Sequence, residues 1–158
     1  MRIYITGFMG SGKSTVGKIL AEKLGYPFVD LDQELEHQAN KTIVNIFEQY
    51  GETSFRELEK SALKLFVMEP FVMATGGGTF IHNRDWMLQH GTVIFLDVPF
   101  EKLVTRVGAD PKRPLWKNAE TIYEQRLPHY RHATCTVSGD GNPEEVAEEI
   151  KKVIYQVS

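Results

Sequence analysis

Short runs of β-branched and apolar residues alternate along the chain with longer stretches whose apolar positions recur every three or four residues. The first kind occurs at 2–6, 27–30, 71–74 and 92–96, and more weakly at 135–137, and predicts strands there. The second kind predicts helices. Val16, Ile19, Leu20 and Leu24 mark one face of a helix ending near Gly25, and Ile43, Ile46, Phe47 and Tyr50 mark another, stopped by Gly51. Leu58, Ala62, Leu65 and Phe66 define a longer helix over about 53–68, and a further one spans about 99–107. The closing helix has the clearest signals: Asn142 as cap, Pro143 in the first turn and Glu145 three residues past the cap. Val146, Ile150, Val153, Ile154 and Val157 line its apolar face. Strands separated by helices imply βαβ units around a buried parallel sheet. One segment fits neither pattern. Residues 108–118 hold two prolines, three Lys/Arg and a tryptophan, and long basic connectors of this kind are often lids or disordered.

A chain of 158 residues fits one domain, with 108–118 as its lid, and buries enough surface to fold without disulfides. The hydrophobic share of 42% and charged share of 25% are those of an ordinary globular protein. A formal net charge of −3 argues against nucleic-acid binding by bulk charge. The single cysteine, Cys135, excludes an internal disulfide and a cysteine-based zinc site, and more plausibly packs than reacts. No apolar run approaches the ~20 residues of a membrane span, and the stretch before Gly7 is too short for a signal peptide. The expectation is a soluble cytoplasmic domain with no membrane or nucleic-acid partner.

Candidate chemistry begins immediately. Gly7-Phe8-Met9-Gly10-Ser11-Gly12-Lys13-Ser14 matches G-x-x-x-x-G-K-[ST], after a predicted strand and at the start of a predicted helix. That placement lets successive backbone N–H groups and the positive helix end cradle polyphosphate oxygens. Lys13 then reaches the β- and γ-phosphates, and the Ser14 hydroxyl is a hard oxygen ligand for Mg²⁺. Gly10, Ser11, Gly12, Lys13, Ser14 and Thr15 form the expected ATP-binding set. The alternative is a glycine-rich turn without a ligand.

The acceptor is a separate question. Asn40-Lys41 is followed by Thr42 and Ile43, not by the N-K-x-D element with which switch GTPases read guanine, and the chain has no room for motor machinery. A small-molecule or nucleotide kinase remains. Asp30-Leu31-Asp32 follows the second strand, where open α/β folds bind ligands, and strand alternation would aim both carboxylates the same way. Taken alone, the pair reads first as a solvated turn. Gly51-Glu52-Thr53-Ser54-Phe55-Arg56-Glu57-Leu58-Glu59 could be no more than a charged helix start. Gly76, Gly77 and Gly78 follow a strand, and three successive glycines make sense where backbone must approach a ligand closely. Arg113-Pro114-Leu115 lies in the lid candidate, and the helix expected after it carries Arg126, Tyr130 and Arg131. His129 and His132 have no partner spaced to complete a metal site.

In order, G-x-x-x-x-G-K-S, D-x-D, G-E-x-x-F-R-x-x-E, G-G-G, R-P-L and a late L-x-x-Y-R resemble the shikimate kinases over essentially the whole chain. The resemblance implies an α/β P-loop kinase fold with a five-stranded parallel sheet in the order 2-3-1-4-5 and a mobile lid. It implies transfer of the ATP γ-phosphoryl group to the 3-hydroxyl of shikimate, a step toward chorismate and the aromatic amino acids, by a cytoplasmic monomer whose partners are shikimate and ATP.

Residue by residue, Asp30 resembles a Mg²⁺-associated carboxylate acting through water. Asp32 resembles the carboxylate that holds the shikimate hydroxyls and orients or deprotonates the nucleophile. Arg56 and Arg131 resemble a pair that clamps the shikimate carboxylate, with Glu59 supporting the arginine and Gly76, Gly77 and Gly78 contacting the same ligand. Arg113 resembles a lid arginine that reaches the phosphates, and Arg106 and Pro143 resemble residues flanking adenine. The chemistry agrees, since a small hydroxylated anion needs a guanidinium fork and an acidic acceptor for its hydroxyls. Lys13, Asp32 and Arg113 are the expected catalytic residues. Asp97, after four apolar residues, is the rival Mg²⁺ carboxylate, or else simply begins a turn. A nucleoside monophosphate or gluconate-type kinase, or a nucleotide-binding regulator without turnover, are the rival functions.

Overall fold

The computed structural model describes residues 1–107 and 118–157. Five strands, β1 (Arg2–Thr6), β2 (Phe28–Asp30), β3 (Phe71–Ala74), β4 (Thr92–Asp97) and β5 (Cys135–Ser138), form one parallel sheet in the order β2-β3-β1-β4-β5. This is the expected order. Pairing of Ile5 with Ala74 on one side and Ile94 on the other, and of Asp30 with Ala74, brings the carboxyl ends of β1, β2 and β3 to one edge. Thr75 fastens that edge, its backbone N–H and its hydroxyl both donating to the Ile5 carbonyl at 3.1 and 2.8 Å.

Alternation along β1 divides the core. Ile3 and Ile5 pack with Leu20, Val72, Ile94, Ala147 and Ile150 on the face covered by α1 (Lys13–Leu24) and α8 (Pro143–Val157). Tyr4 faces the opposite way, among Leu31, Leu35, Ile46, Leu63, Met73 and Met87. That second face is covered by α2 (Leu31–Ala39), α3 (Ile43–Leu65), the short α4 (Thr79–His82) and α5 (Arg84–His90). A third cluster, Phe8, Phe95, Leu103 and Tyr130, seats α6 (Phe100–Val107) and α7 (Ala119–Tyr130).

The two helices expected on either side of Gly51 both lie within α3, separated where Gly51 adopts φ 83° and ψ 173° and leaves the helical path. In the second half Ala62 is buried and Leu58 and Phe66 pack against the core as expected, but Leu65 does not. Leu65 is 68% exposed, whereas Phe55, Glu59, Ala62 and Leu63 are buried. Three helices had no sequence signal strong enough to define them. α2 buries only Leu31 and Leu35 of nine residues, and α4 and α5 are too short for an apolar period to emerge. In α8 the Asn142 side chain accepts from the Glu144 amide at 2.8 Å, while Val157 is exposed rather than packed.

The phase of α3 is testable. Leu63→Ala should cost about 2–5 kcal/mol by opening a cavity, and Leu65→Ala should stay within about 0.5 kcal/mol, as read by urea denaturation.

Candidate active site

The turn between β1 and α1 needs its glycines for two reasons. Gly10 and Gly12 hold φ of 81° and 93°, which side-chain-bearing residues rarely adopt, and a Cβ on Gly7 would stand 2.9 Å from the Leu96 carbonyl. Gly12 occupies the cap position of α1 with no side-chain cap, so the first helical amides have no side-chain acceptor of their own. Lys13 Nζ donates to the Gly7 and Phe8 carbonyls at 2.7 and 3.2 Å, holding the ammonium over the loop. Arg106 braces the loop from α6. Its Nη1 donates to the Gly10 and Ser11 carbonyls at 3.3 Å each, and its Nη2 to the Gly139 carbonyl at 3.0 Å. Pro143 opens α8 and is exposed, outside the lining of the cavity described next.

A cavity of about 600 Å³ runs from this loop to the end of β3. Gly10, Gly12, Lys13, Ser14 and Thr15 line one end, Asp30 and Asp32 the middle, and Arg56, Gly76, Gly77, Gly78 and Arg126 the other. Asp30 caps α2, with Oδ1 accepting from the Gln33 amide at 3.1 Å and Oδ2 from the Ser14 hydroxyl at 2.7 Å. Asp32 is not on the strand, so alternation is not what aims it. It reaches the cavity from the first turn of α2. Burial pushes its carboxyl up to about 6; Lys13 opposes the rise, and the charges of Glu59 and Asp30 add to it.

At the far end each glycine makes room for one side chain. A Cβ on Gly76 would stand 3.0 Å from Asp32 Oδ1, one on Gly77 2.8 Å from an Arg126 nitrogen, and one on Gly78 2.5 Å from Arg56 Nη2. None of the three takes a left-handed φ, so space and not backbone freedom demands glycine here. The Arg56 guanidinium is held by Glu59, whose Oε1 accepts from Nη1 at 2.9 Å, and it also lies over the Phe55 ring. Glu59 is fully buried, and its Oε2 accepts from the Thr79 hydroxyl at 2.8 Å. Tyr130 donates its phenol to the Gly77 carbonyl at 2.5 Å, and burial raises that phenol to about 12, so it remains a donor at any working pH.

Arg131 must be corrected. It is exposed at the end of α7 and does not line the cavity; Arg126, four residues before the buried Tyr130, does. On a helix those two share a face, whereas Arg131 points roughly 140° away from Arg126. The burial of Tyr130 was the signal that would have selected Arg126. Asp97 also stays outside the lining; it ends β4, where its carbonyl accepts from the Gly139 amide at 2.8 Å beside β5. Arg113 lies outside the described residues, as does nearly all of the expected lid. Among the described residues no cluster of three His, Cys, Asp or Glu side chains could hold a metal ion.

Residues 9–155 match the family model described as shikimate kinase. The chain belongs to the shikimate kinase family. It is 44% identical over 156 residues to a shikimate kinase of Persephonella marina, covering 94% of this chain and 95% of that one. The crystal structure of shikimate kinase from Aquifex aeolicus superposes with a TM-score of 0.89 at 39% identity, over 98% of this chain and 96% of the other. Shikimate kinase from Acinetobacter baumannii, solved in complex with shikimate, gives a TM-score of 0.91 at 36% identity, over 99% and 94%. Membership of the shikimate kinase family makes the chain an ATP-dependent kinase of aromatic amino-acid biosynthesis. Among the described residues no helix is long and apolar enough to cross a membrane.

The Asp32 carboxyl yields a stability prediction. Its folded pKa, about 6, exceeds the usual 3.8, so the folded state binds the proton more tightly. Stability contributed by the protonated form is complete below pH 4 and is lost as pH rises through about 6. Asp32→Asn, neutral and of equal shape, should therefore be more stable than the parent at pH 7.5 by roughly 2–3 kcal/mol, with the difference vanishing near pH 4. Urea denaturation across that range checks it, and a constant difference would contradict it.

Proposed function

We propose that this cavity transfers the γ-phosphoryl group of ATP to the 3-hydroxyl of shikimate, giving shikimate 3-phosphate and ADP. The observation that supports it best is the meeting, in one cavity, of a phosphate cradle with Asp32, Arg56 and Arg126 seated on three glycines. The cradle fits a polyphosphate and the two guanidinium groups fit a carboxylate. Asp32 fits a hydroxyl between them, and its raised pKa leaves it ionised yet basic near neutrality.

In this reading the shikimate carboxylate is held by Arg56 and Arg126, and Gly76, Gly77 and Gly78 offer backbone contacts. Asp32 accepts the hydrogen of the 3-hydroxyl as its oxygen bonds to the γ-phosphorus and the bond to ADP breaks. Lys13, with Arg113 from the expected lid, opposes the charge on the phosphoryl oxygens. Phosphoryl transfer asks chiefly for such positioning and neutralisation. Ser14 and Asp30, hard oxygen donors 2.7 Å apart beside the cradle, would hold Mg²⁺, Ser14 by its hydroxyl and Asp30 through water. When bound, that ion would offset negative charge on the β- and γ-phosphates. Arg106, tied to both the phosphate loop and the Gly139 turn, bounds the adenine side, with Pro143 at the start of α8. The same reading takes the chain as a cytoplasmic monomer, in keeping with an acceptor site built from one chain.

ADP release with ATP-Mg²⁺ should occur with shikimate and not with gluconate or AMP. Titration of shikimate in the presence of ADP-Mg²⁺ locates the clamp. Arg56→Ala and Arg126→Ala should each weaken binding about 10- to 150-fold, the worth of one charge-assisted contact, while Arg131→Ala should bind as the parent does. Loss in Arg131→Ala with none in Arg126→Ala would reverse the assignment. Turnover with gluconate or AMP alone would replace the acceptor.

A further inference from the structure

One hydroxyl in the acceptor half has no role in the chemistry above. Thr79, the first residue of α4, is fully buried, and its oxygen lies 2.9 Å from the Gly76 amide nitrogen and 2.8 Å from Glu59 Oε2. An amide N–H can only donate, so the Thr79 oxygen accepts there and its single hydrogen goes to the carboxylate. Both oxygens of Glu59 are then engaged, one by Thr79 and one by Arg56 Nη1 at 2.9 Å. On its other side Gly76 abuts Asp32, whose Oδ1 is 3.0 Å from the place a Cβ would take. The run Arg56–Glu59–Thr79–Gly76–Asp32 therefore joins the group proposed to hold the acceptor's carboxylate to the group proposed to hold its hydroxyl.

We propose that Thr79 is a positioning residue that fixes the spacing of Arg56 and Asp32, and with it the acceptor that the cavity takes. The inference rests on the reading of the acceptor as shikimate. Thr79 touches no reacting atom; it acts through Glu59 on one side and the Gly76 backbone on the other. Valine at this position keeps the shape and strands both partners, leaving Glu59 Oε2 without its donor and the Gly76 N–H without its acceptor. Serine keeps both bonds.

Steady-state kinetics of Thr79→Val and Thr79→Ser, with each substrate varied, provide the test. Thr79→Val should raise the KM for shikimate about 10-fold or more, the loss expected from one hydrogen bond to a charged group, and leave the KM for ATP unchanged. Thr79→Ser should restore it. In an Arg56→Ala background Thr79→Val should cost less shikimate binding than it does in the parent, because only the Gly76 and Asp32 side remains for it to steady. If Thr79→Val does not fold, Thr79→Ala removes the hydroxyl without placing a methyl against the carboxylate and is read in the same way. A parental KM for shikimate in the Val or Ala variant, an equal loss in the Ser variant, or a parallel rise in the KM for ATP would overturn the inference. Failure of the parent itself to turn over shikimate would instead remove the acceptor assignment, and this inference with it.

Discussion

A carboxylate with no exposure to water must have both oxygens engaged, or its charge costs several kcal/mol. Glu59 is that carboxylate, and much of the acceptor site follows from satisfying it. It lies on a helix face otherwise made of Phe55, Ala62 and Leu63, so burying that face carries the charge inward with it. One oxygen engages Arg56 three residues earlier on the same helix, and the other engages a hydroxyl presented by the segment after β3. Arg56 is thereby turned toward Gly78, where any side chain would collide with its guanidinium. The glycine at position 78 and the aim of the arginine follow from one buried ion pair, which the phase of the helix carries inward.

The sheet supplies the frame on which this pairing meets the phosphate loop. β1 lies between β3 and β4, so the loop that follows β1 is flanked by the segment after β3, and β2 brings Asp30 to the same edge. The two ends of the cavity use different material. At the end proposed to hold phosphate the groups on offer are backbone amides and one ammonium, suited to a ligand recognised by charge and close approach. At the other end they are long side chains locked by partners, suited to a ligand recognised by the spacing of its groups. Asp32 stands between, drawn toward its ionised form by Lys13 and away from it by burial and by Glu59, which leaves its carboxyl near 6.

The strands and the glycine-rich turn after β1 were legible because each has a local cause, whereas the paired aspartates drew their meaning from the family resemblance, since the first turn of α2 and not strand alternation aims Asp32. Five apolar runs give five strands, and glycine spacing gives a turn that only a few φ values permit. What stayed illegible depends on tertiary partners. Leu65 and Leu63 are equally apolar, and only packing against the sheet decides that Leu63 is the one buried. α2 has nine residues of which two are buried, too few to betray a helix. Arg131 and Arg126 differ in which side of α7 they occupy, and that is set by Tyr130 entering the core. Thr79 looks like one more small polar residue after a glycine run until Glu59 is placed beside it.

The two glycine-rich segments answer different constraints, and the contrast shows how recognition is divided. In the phosphate loop Gly10 and Gly12 take left-handed backbone angles, so a substitution there strains the chain itself. In the second segment the backbone angles are ordinary, and a substitution would leave the local path intact while displacing Asp32, Arg126 or Arg56. The first segment is therefore constrained by its own conformation and by a ligand group common to all nucleoside triphosphates. The second is constrained by three side chains drawn from α2, α7 and α3, the groups of the proposed acceptor site. In the proposed function, selectivity for the acceptor would then reside where packing, and not backbone geometry, forbids a side chain.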